Sequence, residues 1–448
     1  MTTLPLAFCE RMQDMLGGEY PAFLACYEQS YRRGIRLNIE KCEEERLYAA
    51  LPFSITTAPF SPLSYYIPEG VEHLGALPFH HAGAFYVQEP SAASAVTVLS
   101  PQPGDRVLDL CAAPGGKSTQ IATLLAGQGL LWSNEIVRNR ANVLLSNIER
   151  MGVRNAVVSC CRPETLCDAL EGFFDKVLVD APCSGEGMFR RDERAIQEWS
   201  PEHVKMCAVR QLAILETASQ ALREGGILVY STCTFSFEEN EGVVEAFLKK
   251  RPDFALLDCG VSFGRPGSIP QTRRIFPMDG GEGHFVAKLQ RLSENGNTPS
   301  LYNYAKPSEL AKACCEMLYK QMPSGLLEQI GDNLLLLPDG LPQMKGLGVL
   351  RAGVLLGTYQ KRIEPAHAAF MAARPESLCN VLELTHEGPQ IAAFLHGEEL
   401  DVPESLKGYT GVAVDGIVTG FGKCSGGRLK NRYPKGLRNH EIHFMQDF

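Results

Sequence analysis

The chain has 448 residues, 45% of them hydrophobic and 21% charged, which suits two to four globular domains and is too apolar for a disordered polymer. No apolar run approaches the ~20 residues needed to span a bilayer, and the start, through Leu16, lacks the basic cluster and long apolar stretch of a secretory signal. A soluble cytoplasmic monomer is expected, and its net charge of −9 counts against indiscriminate attraction to nucleic acid.

Residues 1 to about 68 read as helices, a short strand near 34–39 and a proline-punctuated stretch. From 85 to 290 apolar β-rich runs at 106–110, 130–134, 156–159, 176–180 and 227–231 alternate with helical segments such as 117–126 and 138–151. Strands alternating with helices of that length predict a parallel sheet covered on both faces, and 285–289 can add a final strand. The polar stretch 291–300 reads as a linker. A small mixed region over 301–377 follows, and from 378 to 448 short strands (381–385, 391–395, 408–422) predict a compact β-rich module. Near its end the charge reverses. Between 415 and 440, Lys423, Arg428, Lys430, Arg432, Lys435 and Arg438 stand against Asp415 alone, a local balance of +5.

Fifteen cysteines is a high count, but the number is odd and no C-x-x-C occurs. With no Cys/His cluster at zinc-ligand spacing, no metal is expected. A thiol in such a chain is a small buried hydrophobe until its neighbours argue otherwise.

The first neighbourhood that argues otherwise follows the strand at 106–110. Cys111, Ala112, Ala113, Pro114, Gly115, Gly116 and Lys117 form a tight loop that opens a helix. Paired glycines let the backbone approach a ligand beyond the carboxyl end of a strand. The loop is neither G-x-G-x-x-G nor a complete G-x-x-x-x-G-K-[ST], so it is not built for a pyrophosphate or a triphosphate. Glu135 ends the next strand, where an acid can accept hydrogen bonds from ribose hydroxyls. A ribose to grip without a phosphate to cradle favours S-adenosylmethionine over NAD.

Two further strand ends carry cysteines: Asp180-Ala-Pro-Cys183-Ser-Gly-Glu-Gly187 and Ser231-Thr-Cys233-Thr234. Both point at the crevice of the 111–117 loop, so an acid and two thiols converge near a methyl donor. Carbon 5 of cytosine takes a methyl group only after a thiolate has added to carbon 6, which is covalent catalysis. Asp180 can assist by protonating ring nitrogen 3 if its surroundings keep it protonated. A base must then remove the carbon 5 proton, and the second thiol is a candidate.

With these motifs, and with Gln88-Glu-Pro-Ser-Ala92, Arg36-Leu-Asn38, Asn134-Glu135 and the tail Lys430-Asn-Arg-Tyr-Pro-Lys-Gly-Leu-Arg438, the chain resembles the Sun/Nol/Nop family of RNA (cytosine-5) methyltransferases, of the bacterial RsmF type, over nearly its whole length. The resemblance implies an α/β fold. A Rossmann-like methyltransferase core at 85–290 would follow a small N-terminal α+β RNA-binding domain at 1–84, with an intermediate domain at 301–377 and a PUA-like RNA-binding domain at 378–448. It implies Cys233 as nucleophile, Cys183 in product release and Asp180 at the cytosine, with Lys117 the cation that favours the thiolate. It also implies S-adenosylmethionine among residues 111–117, Glu135, Arg140 and Asp180, and small-subunit ribosomal RNA as substrate, with transfer RNA the alternative. One position departs: where relatives often carry an Asp near the adenine amino group, this chain has Arg162, which cannot accept a hydrogen bond. The tail cations, interleaved with Tyr433 and Asn431, would hold single-stranded RNA by phosphate contact and stacking. Arg32, Arg33 and Arg36 are the reserve candidates.

Three rivals are weighed against this. A DNA cytosine methyltransferase takes its nucleophile from Pro-Cys, and Cys233 argues for the RNA type. An inactive RNA-binding scaffold is disfavoured because every reactive position is filled, and an NAD oxidoreductase because the glycine fingerprint is missing.

Overall fold

In the computed structural model, which describes residues 4–293 and 299–439, five strands run parallel at the centre. Their order is Leu222–Thr232, Phe174–Asp180, Arg106–Asp109, Leu130–Asn134, Ala156–Ser159. The first of them in the chain, Arg106–Asp109, lies in the middle. The order therefore reverses between it and Phe174–Asp180, and in such sheets ligands bind in the crevice beyond the carboxyl ends at that reversal. His284–Arg291 flanks Leu222–Thr232 antiparallel.

These strands are buried along nearly their whole length, as they must be when both faces are covered, and successive side chains point to opposite faces. Val107, Leu131, Leu178 and Val229 pack under the helices Gly116–Leu125 and Arg138–Arg150 through Ile121, Leu125, Leu144 and Ile148. Leu108, Trp132, Val177 and Tyr230 pack on the other face under Pro163–Ala169, Pro201–Gln220 and Glu241–Lys250, through Leu166, Leu215, Val244 and Phe247. The fully buried Trp132 indole N–H is satisfied by Ser159 Oγ at 2.8 Å. Pro201–Gln220 starts where its sequence predicts a start, with Ser200 accepting the His203 N–H at 3.0 Å and proline at the first helical position.

The N-terminal segment forms the helices Leu6–Leu16 and Tyr20–Cys26 and a four-stranded antiparallel sheet. The fourth strand of that sheet is Phe85–Val87, which pairs with Gly34–Leu37. A boundary at 84 therefore cuts this sheet, and the N-terminal unit extends past it. An aromatic cluster of Phe8, Phe23, Phe189, Trp199, Phe235 and Phe276 ties the N-terminal helices to the loops after Asp180 and Thr232.

Three further expectations are corrected. The intermediate region has its own four-stranded antiparallel sheet, but Val349–Ala352 leaves it and pairs with Ala156–Ser159, extending the catalytic sheet. The run at 391–395 is not a strand. It lies in the helix Pro389–His396, which has proline in its first turn, Gly397 at its end (φ +102°) and Ile391, Phe394 and Leu395 on its buried side. The linker at 291–300 begins one residue late, since Arg291 is still in a strand, and residues 294–298 lie outside the described residues.

The C-terminal module is a five-stranded sheet containing Gly408–Val414, Ile417–Ser425 and Arg428–Asn431. It shares a core with the N-terminal sheet, where Phe394, Val412, Val414 and Tyr433 meet Leu47, Tyr65 and Phe79. Residues 440–448 of that module lie outside the described residues.

Candidate active site

At the reversal of strand order, Arg106–Asp109 delivers the loop of residues 111–117. Gly115 has φ +114°, a backbone conformation that strains any side chain. The loop is held from three sides. Ala112 N–H donates to Asn134 O at 2.9 Å. Arg140 donates to Ala113 O at 3.1 Å, and Asn147 to Pro114 O at 2.9 Å. The buried Arg36 of the N-terminal sheet donates to Gly116 O at 3.1 Å and Thr119 Oγ1 at 2.6 Å. Beneath the loop, Asp109 is fully buried and accepts from Ser118 Oγ at 2.7 Å, while its Oδ1 meets no partner among the described residues. Burial pushes its carboxyl up to about 7.

Glu135, only 4% exposed, ends Leu130–Asn134's run beside this loop. It accepts from Val137 N–H at 3.0 Å and pairs with Arg140 at 3.3 Å, so Arg140 bridges the loop and Glu135. A carboxylate has about four lone-pair sites, which leaves room for ribose hydroxyls. A carboxylate with spare acceptors, set beside a glycine turn, fits S-adenosylmethionine. Arg162 turns outward to solvent at the start of Pro163–Ala169. Asn134 shapes the loop before it, accepting from Cys161 N–H at 3.1 Å and donating to Cys161 O at 2.9 Å.

The next two strand ends bring the reactive groups together. Lys117 Nζ lies 2.8 Å from Asp180 Oδ2, and Ser231 Oγ donates to Asp180 Oδ1 at 2.7 Å. Burial pushes the Asp180 carboxyl up, but the Lys117 ammonium, with the Ser231 hydroxyl, outweighs burial and holds it below the usual carboxylate range. The condition under which Asp180 could protonate ring nitrogen 3 is therefore not met, because its surroundings favour the paired carboxylate. Lys117 is correspondingly held above its ordinary value: burial lowers it, and the Asp180 carboxylate more than reverses that.

Cys183 Sγ and Cys233 Sγ lie 3.2 Å apart. The Cys183 thiol is pushed well up, first by its hydrogen bond to Cys233 and then by burial. Cys233 is drawn below its ordinary value, first by that same hydrogen bond, with Lys117 and Arg191 helping against burial and Asp180. The two thiols are thus shifted in opposite directions, Cys233 toward the thiolate and Cys183 toward the thiol. Lys117 contributes to that polarity but is not its main source.

Both cysteine turns are braced from behind. Ser184 N–H and Gln211 Nε2 donate to Glu239 Oε2 at 2.9 and 2.8 Å, and Asn240 Nδ2 donates to Thr234 O at 2.9 Å. Gly187 N–H donates to Cys233 O at 2.9 Å, and a Cβ at Gly187 would stand 2.8 Å from Gly283 O. Glu239, Asn240 and Glu241 are fully buried, and the sequence reading passed over this polar run. Its position directly after Ser231–Thr234 was the available signal.

At the tail, Lys423, Arg428, Lys430, Arg432 and Lys435 are exposed. Lys423 and Lys430 face each other across the ladder, like charges whose repulsion is unfavourable. Arg428 is met by Glu399 at 3.5 Å and Asp401 at 3.3 Å. Arg438 is half-buried, packed close to Gly397. Tyr433 is corrected: it is 3% exposed, with its hydroxyl 2.7 Å from His81 Nδ1, and cannot offer a face to a base. Asn431 is likewise committed, donating to Phe394 O and Glu398 O.

A doubly covered parallel sheet with a glycine turn, a ribose-type acid and an acid–thiol pair at its reversal point defines a Rossmann-like methyltransferase. Comparison with known proteins agrees. The model for 16S rRNA methyltransferase RsmB/F matches residues 96–290, and those for the N-terminal, first C-terminal and PUA domains of RsmF match 4–90, 314–372 and 379–439. The chain is 33% identical to ribosomal RNA small subunit methyltransferase F of Vibrio parahaemolyticus over 97% of each chain, and 33% identical to that of Escherichia fergusonii over 97% of this chain and 96% of the relative. A solved methyltransferase homologue from Pyrococcus horikoshii, 28% identical, superposes with a TM-score of 0.57 over 64% of this chain and 95% of its own. The chain belongs to the RsmF-type 16S rRNA methyltransferases.

Proposed function

We propose that this protein methylates carbon 5 of a cytosine in small-subunit ribosomal RNA through a covalent Cys233 adduct. The observation that carries the reading is the polarised thiol pair, 3.2 Å between sulfurs, standing beside the Lys117–Asp180 pair. S-adenosylmethionine, held by residues 111–117, Glu135 and Arg140, supplies the methyl group. Backbone groups of the Cys160–Cys161 turn, braced by Asn134, take the place of the acid missing at Arg162.

The rest of the chemistry belongs to side chains of this chain. The Cys233 thiolate adds to carbon 6 while the Cys183 S–H steadies its charge. The Asp180 carboxylate accepts from the cytosine 4-amino group. Lys117, which stays protonated beside Asp180, donates toward ring nitrogen 3 and so takes the part first expected of Asp180. When the adduct breaks, Cys183 stabilises the departing thiolate. The exposed cations of the C-terminal hairpin and its following turn give an acidic protein a place to hold phosphates.

The test is methyl incorporation from labelled S-adenosylmethionine into small ribosomal subunits, naked small-subunit rRNA, tRNA and duplex DNA. Label at carbon 5 of cytosine in either ribosomal substrate is the expected result. Label confined to tRNA or DNA contradicts it.

A further inference from the structure

His284 stands at the start of His284–Arg291, outside every residue assigned above. Phe285 pairs with Thr232 and Val286 with Ser231, so one step beyond the ladder His284 comes opposite Cys233. Alternation puts Ser231, Cys233, His284 and Val286 on one face of the sheet. That is the face on which Ser231 holds Asp180.

The imidazole is 6% exposed and its tautomer is set from behind. The Glu89 carboxylate accepts from Ser91 N–H at 2.9 Å and from Ser91 Oγ at 2.6 Å. Having given its proton to Glu89, Ser91 Oγ can only accept from His284 Nδ1, 3.1 Å away. The proton therefore sits on Nδ1, and Nε2 keeps a bare lone pair. Nε2 meets no hydrogen-bond partner among the described residues. Burial and the nearby Lys117 charge hold the ring neutral, its value lowered to about 3, while Asp180 pulls the other way.

We propose that His284 is the base that removes the carbon 5 proton, oriented for that task by the Glu89–Ser91 relay. This rests on the covalent reading above. In that reading the Cys233 sulfur adds to one face of the cytosine ring and the methyl group arrives on the other. The arriving methyl group therefore turns the carbon 5 hydrogen toward the Cys233 side. Nε2 takes that hydrogen as a proton, the C–H electron pair becomes the C5=C6 bond, and the C6–S pair leaves onto Cys233 sulfur beside the Cys183 S–H. The imidazolium then passes its proton to water. Because ring aromaticity is restored in this step, a weak base suffices. The other two groups at hand are committed, Cys183 to Cys233 and Asp180 to Lys117 and Ser231.

The experiment uses the full chain and substrate RNA tritiated at carbon 5 of cytosine, following methyl transfer and tritium release separately in a single turnover. In His284→Phe, methyl transfer should stay within about threefold of wild type while tritium release falls about a hundredfold, and a methylated protein–RNA adduct should accumulate on denaturing gels. In His284→Ala, added imidazole should restore release, and it should leave Cys183→Ala unrescued. Release that keeps pace with methyl transfer in both His284 variants, or a loss in His284→Ala that imidazole does not touch, overturns the assignment. Wild-type enzyme that forms no adduct with 5-fluorocytidine RNA overturns the covalent reading itself, a separate outcome.

Discussion

Cys183 and Cys233 are partners of unequal character: their sulfurs lie 3.2 Å apart, and the contact pushes the Cys183 thiol up while drawing Cys233 down. The asymmetry follows from position. Cys233 sits where the Cys183 S–H and the charges of Lys117 and Arg191 converge, whereas Cys183 looks toward buried Glu239.

A pH dependence follows. The reactive form is the thiolate, so methyl transfer rises with pH through the Cys233 ionisation, whose midpoint lies below the ordinary cysteine value. Cys183→Ala removes the largest stabiliser of the thiolate and should move the rising limb to higher pH. Lys117→Met should move it the same way by less. Single-turnover methyl transfer measured from about pH 6 to about pH 9.5 checks both directions.

Cofactor affinity should depend on Glu135 far more than on Arg162. Glu135→Ala removes a buried charged acceptor, an interaction of about 1.5–3 kcal/mol, so binding of S-adenosylmethionine should weaken roughly ten- to a hundredfold. Arg162 faces solvent, and Arg162→Ala should stay within about threefold. Calorimetry on both variants decides, and unchanged binding in Glu135→Ala would remove the ribose assignment.

The core and the 111–117 loop were legible because parallel strands covered on both faces are short continuous apolar runs, and their ends carry the unusual residues. The run at 391–395 was not legible, since five apolar residues fit a strand or a buried helix turn equally; Pro389 and Gly397 decide it. Tyr433 reads as an RNA-stacking ring from its basic neighbours, yet its place between His81 and Phe394 depends on the N-terminal sheet. The setting of His284 was silent for a similar reason. Its relay comes from Ser91, 193 positions away in the chain.

Tyr433 should therefore act on stability, not on RNA. Tyr433→Phe loses one buried hydrogen bond, about 0.5–1.5 kcal/mol, and Tyr433→Ala opens a cavity worth about 3–5 kcal/mol. Denaturant unfolding measures both. If Tyr433→Ala weakens RNA binding with no loss of stability, the ring is a stacking platform after all.

The RNA-holding cations should be those that face solvent. If Lys423, Lys430, Arg432 and Lys435 each meet a phosphate, the log–log salt slope of RNA binding is about −3, at ~0.7 per phosphate on single strands. Alanine at all four should flatten that slope and leave cofactor affinity intact. An unaltered slope would shift the role to Arg32 and Arg33, which line a cleft of about 900 Å³ with Arg190 and Tyr66.

The most direct test of the account is denaturing-gel analysis of the protein incubated with small-subunit rRNA and S-adenosylmethionine, comparing Cys183→Ala with Cys233→Ser. With Cys233 as nucleophile and Cys183 as the donor to the departing thiolate, Cys183→Ala should attack and methylate but release slowly, giving a protein–RNA band that survives denaturation. Cys233→Ser should give neither band nor methylated RNA. A stable band with Cys233→Ser, its Cys183 intact, would contradict the polarity of the thiol pair and reverse the two roles.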